Sequence, residues 1–516
     1  MNGAQALMKT LSDSGVEVCF ANPGTSEMQL VAALDEQHGI RAVLGLFEGV
    51  VTGAADGYGR MSDKPAATLL HLGPGLANGL ANLHNARRAL SPIVNIVGDH
   101  AVDHIALDAP LTSDIVGVAT PMSDWVATST SASNLAETGA EAVAIACRYP
   151  GQIATMIAPG DHAWTDGAVP AAPATPPKVP RVSDEEIEAA AELLRKPGRS
   201  ALFIGNRALR EKALFQAGRV AAATNARLIS DTSPARLQRG LGRVAVQRIP
   251  YFAESAVDFM KDIEQLVFIG TKPPVSFFAY PNRPSELSPE GAIITRLADE
   301  RVDAEDTLRR LADTLNAPDN PIHLQTSEEL PTVEDGVLDQ RSLGIITAQL
   351  LPANAIVSDE GVSSGGQVYR YSAGAPKHDW MTITGGAIGQ GLPLATGAAI
   401  ACPNRKVIAI QADGSAMYTV QALWTMAREN LDVTVIILKN NSYGILNIEL
   451  DRVGVTAPGP KALSLLDLSN PVIDWVAMSH SMGVPAQSAS TTQEFRTALS
   501  AAVAHDGPRL VEAVLA

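Results

Sequence analysis

Cysteine is scarce. Cys19, Cys147 and Cys402 lie far apart in a chain of 516 residues and form no CxxC pair. A disulfide framework is therefore excluded, and a reducing cytoplasm is the expected compartment. Long apolar runs are also missing. No stretch approaches 18 uninterrupted apolar residues, so no transmembrane helix is expected. The first residues, MNGAQALMKTLSDSG, read as the start of an amphipathic helix and lack a signal-peptide pattern. Positive charge is in deficit: 39 Lys and Arg face 55 Asp and Glu, a net charge of −16 spread along the chain. With a pI near 5.1, this argues against nucleic-acid partners and against a basic membrane-binding patch. What is present is a globular composition, 46% hydrophobic and 18% charged, with 42 Gly. Its Gly and Ala content favours an α/β protein with tight strand-to-helix turns, and its length predicts two to four domains.

Three blocks follow one another. In residues 1–167, VEVCFANPG (16–24), PAATLLHLGPG (65–75) and SPIVNIVGD (91–99) are apolar runs that end in Gly, Pro or Asp. They alternate with helical patterns, the rhythm of a parallel sheet. Residues 168–182, AVPAAPATPPKVPRV, predict a proline-stiffened linker. Asp184-Glu185-Glu186 then opens a helix. In a second block, 184–325, ALFIGNRA (201–208), QLVFIGTKPP (265–274) and GAIITRL (291–297) predict buried strands. A polar stretch, 317–340, predicts a second link. A third block, 341–516, repeats the α/β rhythm with NAIVSDEG (354–361), RKVIAIQADG (405–414), VTVIILKNN (433–441) and PRLVEAVL (508–515). The expected fold is three doubly wound parallel-sheet domains, 1–167, 184–325 and 341–516. The first and third could share a topology, although their sequences are too dissimilar to show it.

The densest chemical signal is VIAIQADGSA (407–416) followed by VIILKNNSYG (435–444), with the helical TVQALWTMARENL (419–431) between them. Two adjacent parallel strands joined by one helix place Asp413 and Asn440 at neighbouring carboxyl-terminal strand ends, where open α/β sheets bind ligands. A carboxylate, an amide oxygen and a nearby backbone carbonyl are hard oxygen donors suited to Mg2+. Gly414 and Ser415 open a helix whose free N–H groups suit a phosphate. Taken one at a time, an ADG turn or an NN turn is loop punctuation; the pair at this spacing is the signal.

This pairing resembles the signature of thiamine-diphosphate (ThDP) enzymes, Gly-Asp-Gly followed some 25 to 30 residues later by Asn-Asn. Ala412 replaces the first glycine, a change of one methyl that a strand end tolerates. The resemblance implies Asp413, Asn440 and the Ser442 carbonyl as Mg2+ ligands. The wording DGSAMYTVQALWTMARENL is similar to benzoylformate decarboxylase and its relatives. The whole chain, in order, is similar to the acetolactate-synthase-like group, with pyrimidine-binding, middle and diphosphate-binding domains.

Further roles are implied by the same resemblance. Glu48, ahead of the Gly57-Tyr58-Gly59-Arg60 run, takes the catalytic place: hydrogen-bonded to the aminopyrimidine, it favours the imino tautomer whose nitrogen accepts the thiazolium C2 proton. His71 falls at an active-site histidine used in proton transfer, though a strand-end histidine is also ordinary hydrogen-bonded structure. Thr25 and Ser26 sit where a hydroxyl reaches the substrate; helix capping is the competing reading. Ser363, beside Ser364, is the hydroxyl on the diphosphate. Ile388, in ITGGAIGQGLP (383–393), is the aliphatic wedge that bends the cofactor, or ordinary core; Gly386 and Tyr443 also line the cofactor. The segment YGILNIELDR (443–452) lacks the Trp of true acetolactate synthase, leaving Leu446 and Ile448 as apolar pocket residues or simple helix packing.

The middle-domain stretch PPVSFFAYP (273–281) lacks the second histidine of benzoylformate decarboxylase. No FAD signature stands out in 184–325, so FAD is not expected, and GGAIGQG is out of register for a dinucleotide loop. The expected function is ThDP- and Mg2+-dependent decarboxylation of a 2-oxo acid with carboligation. Simple decarboxylation and a catalytically silent assembly partner are the alternatives. The resemblance implies a homodimer or homotetramer with sites shared between subunits.

Overall fold

Apolar, β-branched runs form the strands, and helices cover both faces of each sheet, as buried parallel strands require. A computed structural model describes residues 1–516. The first sheet comprises β1 (Val18–Asn22), β2 (Arg41–Leu44), β3 (Ala66–Leu70), β4 (Ile93–Asp99), β5 (Trp125–Thr128) and β6 (Ile153–Pro159). Its order is β2-β1-β3-β4-β6-β5, and every pairing is parallel. The second contains β7 (Ser200–Ile204), β8 (Arg227–Ser230), β10 (Gln247–Arg248), β11 (Gln265–Ile269) and β12 (Ile293–Ala298), in the order β10-β8-β7-β11-β12. Residues 167–183, between the two, carry neither helix nor strand.

The third sheet holds β13 (Ile356–Glu360), β14 (His378–Thr382), β15 (Val407–Ala412), β16 (Val433–Lys439), β17 (Ala486–Ala489) and β18 (Arg509–Val514). Its order is β17-β18-β16-β15-β13-β14. Counted within each block, both outer sheets read 2-1-3-4-6-5. The shared topology that the sequence left open is present in the backbone.

Two features depart from the sequence reading. The strand in GAIITRL is an edge: Ile293 and Ile294 are 53% and 45% exposed, and only Leu297 and Ala298 are buried. A short strand from the second block, β9 (Leu237–Arg239), leaves its neighbours and pairs antiparallel with β14 on the third sheet. No helix is long and apolar enough to cross a membrane.

The outer blocks meet through two helices, Glu48–Ser62 and Gly391–Ala401. A Cβ on Gly397 would lie 1.8 Å from the Ala54 carbonyl oxygen, and one on Gly57 would lie 2.1 Å from that of Leu394. Only glycine lets the backbones approach this closely. Replacing Gly397 by Ala is expected to force the helices apart, at a cost of about 1–3 kcal/mol. A lowered denaturation midpoint checks this, and an unchanged one contradicts it.

The seam with β9 contains a titratable group. His378 is fully buried; its Nδ1 lies 2.7 Å from the Pro376 carbonyl, and its Nε2 has no partner. Burial, and then the neighbouring Arg239 charge, depress its pKa to about 3. The unfolded chain therefore binds a proton that the folded chain refuses between pH 6.5 and 3. The neutral ring's stability is fully present above pH 6.5 and is lost as pH falls toward 3, at up to about 1.4 kcal/mol per pH unit. Urea midpoints at pH 7 and pH 5 should fall more steeply for the parent than for His378→Asn. Equal slopes would refute the assignment.

Candidate active site

Strands β15 and β16 are adjacent and parallel, with Ala412 opposite Leu438, so Asp413 and Asn440 stand at neighbouring tips. Asp413 is 3% exposed and opens a four-residue helical turn, Asp413–Ala416. Its Oδ1 accepts the Gly414 N–H at 2.8 Å; its Oδ2 accepts those of Asn440 at 3.1 Å and Asn441 at 2.7 Å. Burial raises the Asp413 pKa, and these three N–H donors oppose the rise. The Asn440 Oδ1 accepts the Ser442 N–H at 3.0 Å, and the Ser442 carbonyl accepts no backbone hydrogen bond. No group of three or more His, Cys, Asp or Glu side chains gathers as a metal cluster. The donor set is one carboxylate, one amide oxygen and one free carbonyl. It is hard, singly charged and short of full coordination, which fits Mg2+ completed by water and phosphate oxygens.

A phosphate cradle adjoins it. The Gly444–Arg452 helix starts beside these tips, and its first N–H groups are available to an anion. The Cβ position of Gly444 lies 3.2 Å from the Ser363 Oγ and 3.3 Å from the Asn440 Nδ2. Ser363, Asn440 and the helix start therefore converge, whereas Ser364 is buried. Gly414 is required by its neighbour: a Cβ there would lie 2.5 Å from the Tyr443 ring. Ser415 turns inward instead, donating to the Ala412 carbonyl and accepting from the Gln411 Nε2.

Ile388 is half-buried in a loop fixed on both sides. Ala387 exchanges two hydrogen bonds with the Asn85 side chain, at 2.8 and 3.2 Å. The Gly389 and Gly391 N–H groups both donate to Glu360, each at 2.6 Å. Gly386 has a φ of 77°, and its Cβ position meets the Phe277 ring at 2.4 Å, so the second block reaches this loop. Phe277 and Phe278 are about half exposed, as are Leu446 and Ile448 on the Gly444–Arg452 helix. That helix buries none of its residues. It is tied to the second block by Glu449 with Tyr280 and Arg452 with Glu254.

The first block supplies another set of groups. Glu48 begins the Glu48–Ser62 helix and is 9% exposed. Its Oε2 accepts from the Asn78 Nδ2 at 3.0 Å, and its Oε1 has no hydrogen-bond partner within the chain. His71 precedes the Leu72–Ala89 helix, and its Nδ1 lies 2.8 Å from the Glu27 Oε2. Glu27 is fully buried and also accepts the Gly24 N–H at 2.7 Å and the Ser26 hydroxyl at 2.8 Å. Thr25 is exposed, and neither Thr25 nor Ser26 caps the helix; Glu27 takes the Gly24 N–H instead. Glu27 and Glu360 were not singled out from the sequence. Glu27 could have been suspected from TSE ahead of a helix, where an acid three residues after Gly24 can reach back to its N–H.

No hydrogen bond within the chain links the Glu48–His71 set to the Asp413 set. The nearest bridge is Asn82, whose Nδ2 donates to the Gly49 carbonyl at 2.8 Å and to the Gly389 carbonyl at 3.3 Å.

A strand-tip oxygen set beside a helix start, opposite a domain of matching topology that carries a buried glutamate, is the architecture of a thiamine-dependent enzyme. Residues 1–118 match the family described as "Thiamine pyrophosphate enzyme, N-terminal TPP binding domain", and residues 362–513 match its C-terminal TPP binding domain. The chain belongs to the thiamine pyrophosphate enzymes; thiamine pyrophosphate and ThDP are the same cofactor. It is 50% identical over 518 residues to a Mycobacterium tuberculosis protein provisionally named acetolactate synthase large subunit IlvX, covering 100% of this chain and 99% of that one. It is 26% identical to benzoylformate decarboxylase of Pseudomonas aeruginosa, covering 98% and 97%. The fold superposes on the ThDP-dependent 4-hydroxybenzoylformate decarboxylase of Rhodococcus jostii RHA1 with a TM-score of 0.88, at 24% identity over 100% and 99% of the two chains.

Gly98 tests the Glu27–His71 arrangement, because a Cβ there would lie 1.8 Å from the Glu27 Oε1. Gly98→Ala is expected to displace Glu27 and with it His71. Turnover should fall by up to about 10²-fold while ThDP affinity stays within about twofold. Loss of both together would place the effect elsewhere.

Proposed function

We propose that the chain decarboxylates a 2-oxo acid using ThDP held through Mg2+. The observation that carries this reading is the convergence of Asp413, Asn440, the Ser442 carbonyl, Ser363 and the Gly444 helix start at two adjacent strand tips. In this reading Asp413, Asn440 and the Ser442 carbonyl hold the ion. Ser363 and the helix N–H groups take the diphosphate, and Gly386, Ile388, Gly414 and Tyr443 shape the space for the rings. Bound ThDP supplies a carbon nucleophile and an electron sink for the carboxylate that leaves as CO2.

Glu48 holds the proton of the aminopyrimidine with its unpartnered Oε1, and Asn78 orients it through Oε2. His71, fixed by Glu27, is the group able to give a proton to the product carbon, with Ser26 beside it. Leu446 and Ile448, half-exposed on the Gly444–Arg452 helix, offer apolar contacts to the substrate side chain. The sites are shared between two copies of the chain, each giving its Glu48 set to the other's Asp413 set. Residues 1–167, 184–325 and 341–516 serve as pyrimidine-binding, middle and diphosphate-binding domains.

Two fates of the decarboxylated fragment are supported by different observations. The full-length likeness to the M. tuberculosis protein supports carboligation to a second carbonyl compound. The Glu27–His71 pair supports protonation and release as an aldehyde, because a positioned acid is what release needs and joining does not. Incubation with ThDP, Mg2+ and pyruvate or benzoylformate, followed by product identification, separates them: acetolactate or another joined product against free aldehyde. Absence of CO2 from a broad panel of 2-oxo acids would sink both.

Glu48→Gln is expected to lower turnover by about 10²–10⁴-fold with the fold intact; parental activity would remove Glu48 from the mechanism. Chelation of divalent ions, or Asp413→Ala, is expected to weaken ThDP binding at least tenfold. Titration of ThDP by intrinsic fluorescence reads this directly, and unchanged binding would place the ion elsewhere.

A further inference from the structure

Away from the strand tips, the first and second blocks meet at a cavity of about 20 Å³, or about 340 Å³ with its mouth included. Arg60, Ser91, Asn206, Arg207, Arg210 and Arg236 line it. A cavity of the smaller size admits one water-sized sphere. Four guanidinium groups around so small a space require counter-charges.

Most of those counter-charges are already engaged. Asp56 faces Arg60 with both oxygens, at 2.8 and 2.7 Å, in a pair almost wholly buried. Arg60 completes its bonding with the Ala235 and Thr382 carbonyls and the Thr384 hydroxyl. Asp379 is shared between Arg236 and Arg405, each at 2.5 Å. Asp63 lies 2.6 Å from Arg207 but 3.4 Å from Arg210, and is 42% exposed. Around the cavity four guanidiniums thus face three carboxylates, one of them shared with Arg405, an excess of at least one positive charge.

Arg210 carries the deficit. Its Nη2 reaches the Arg60 carbonyl at 3.3 Å, while its Nε and Nη1 are covered and have no partner. Burial, and then the Arg236 charge, disfavour the charged form, yet an arginine keeps its proton in proteins. Water in the cavity would satisfy an N–H but would not compensate the charge.

We infer that this junction binds one chloride ion against the Nε and Nη1 of Arg210, with Arg207, Arg236 and Asn206 around it. The anion sits between the first block, at the Arg60 turn and Ser91, and the second, at Arg207 and Arg210. Its binding therefore stabilises the contact between the blocks by mass action. The site is independent of the cofactor groups, and neither Arg210 nor Asp63 belongs to them.

The test is thermal denaturation of the full chain, dialysed free of small anions and titrated with sodium chloride. Ionic strength is held constant with sodium gluconate, whose anion is too large for the cavity. The parent's midpoint should rise and saturate with chloride. Arg210→Met should abolish the saturable rise. Asp63→Asn removes a competing, largely exposed carboxylate and should bind the anion several-fold more tightly, so a response in the opposite direction covers the case in which Arg210→Met fails to fold. A parent that shows no saturable rise, or a rise equal in all three proteins, overturns the proposal.

Discussion

The two outer blocks are held together where the Glu48–Ser62 and Gly391–Ala401 helices touch backbone to backbone. That single approach, allowed by Gly57 and Gly397, governs the geometry of much else. One helix carries Glu48 at its start; the other begins immediately after the loop that holds Ile388. Along the same seam the Gln390 Nε2 donates to Asp56 at 2.6 Å, and Asp56 in turn fixes Arg60. Asn82 ties the Gly49 and Gly389 carbonyls, and Asn85 ties Ala387. Polar side chains buried in such a seam must find these partners or forfeit their hydration. The arrangement therefore admits one register of helix on helix, and the loop and the glutamate are positioned by the same contact.

The matching strand order of the two outer sheets gives this seam its form. Each sheet presents loops at its carboxyl-terminal edge, where open α/β sheets place their ligands. In the first sheet those loops carry Glu27, Glu48 and His71; in the third they carry Asp413 and Asn440. One topology thus gathers two different sets of polar groups, two glutamates and a histidine on one side and a carboxylate with an amide on the other. The likeness survives in the backbone because topology tolerates side-chain change. In the sequence the two sets of strands share apolar runs of Val, Ile, Leu and Ala.

Much of this was legible in the residues. The central strands announced themselves as apolar runs ending in polar or glycine turns, and β15 and β16 took the adjacent parallel positions expected of them. Contacts over long sequence distances were not legible. The partner of β9 lies about 140 residues away, and a three-residue strand has no periodicity to read. GAIITRL looked buried because composition reports apolarity and not which edge of a sheet a strand occupies. Glu27 and Glu360 resembled ordinary turn acids; their importance comes from complete burial and from donors in other elements. The approach of Phe277 to Gly386 depends on how the second block docks, which no local pattern encodes.

Four buried carboxyl groups near the strand ends differ in how fully their oxygens are bonded. Glu360 accepts the Gly389 and Gly391 N–H groups and the Gln411 amide, so both its oxygens are occupied. Glu27 is likewise filled by Gly24, Ser26 and His71. Asp413 accepts three backbone N–H groups, which fix its plane and oppose the rise in pKa that burial causes, and a carboxylate oxygen has lone pairs to spare for a cation. Glu48 alone keeps an oxygen with no partner, at the start of a helix whose position the glycine seam fixes. A carboxyl that must exchange a proton needs a vacant oxygen, and one that orients a loop or an imidazole needs none. By that criterion Glu48 is set apart from its three neighbours by bonding rather than by residue type.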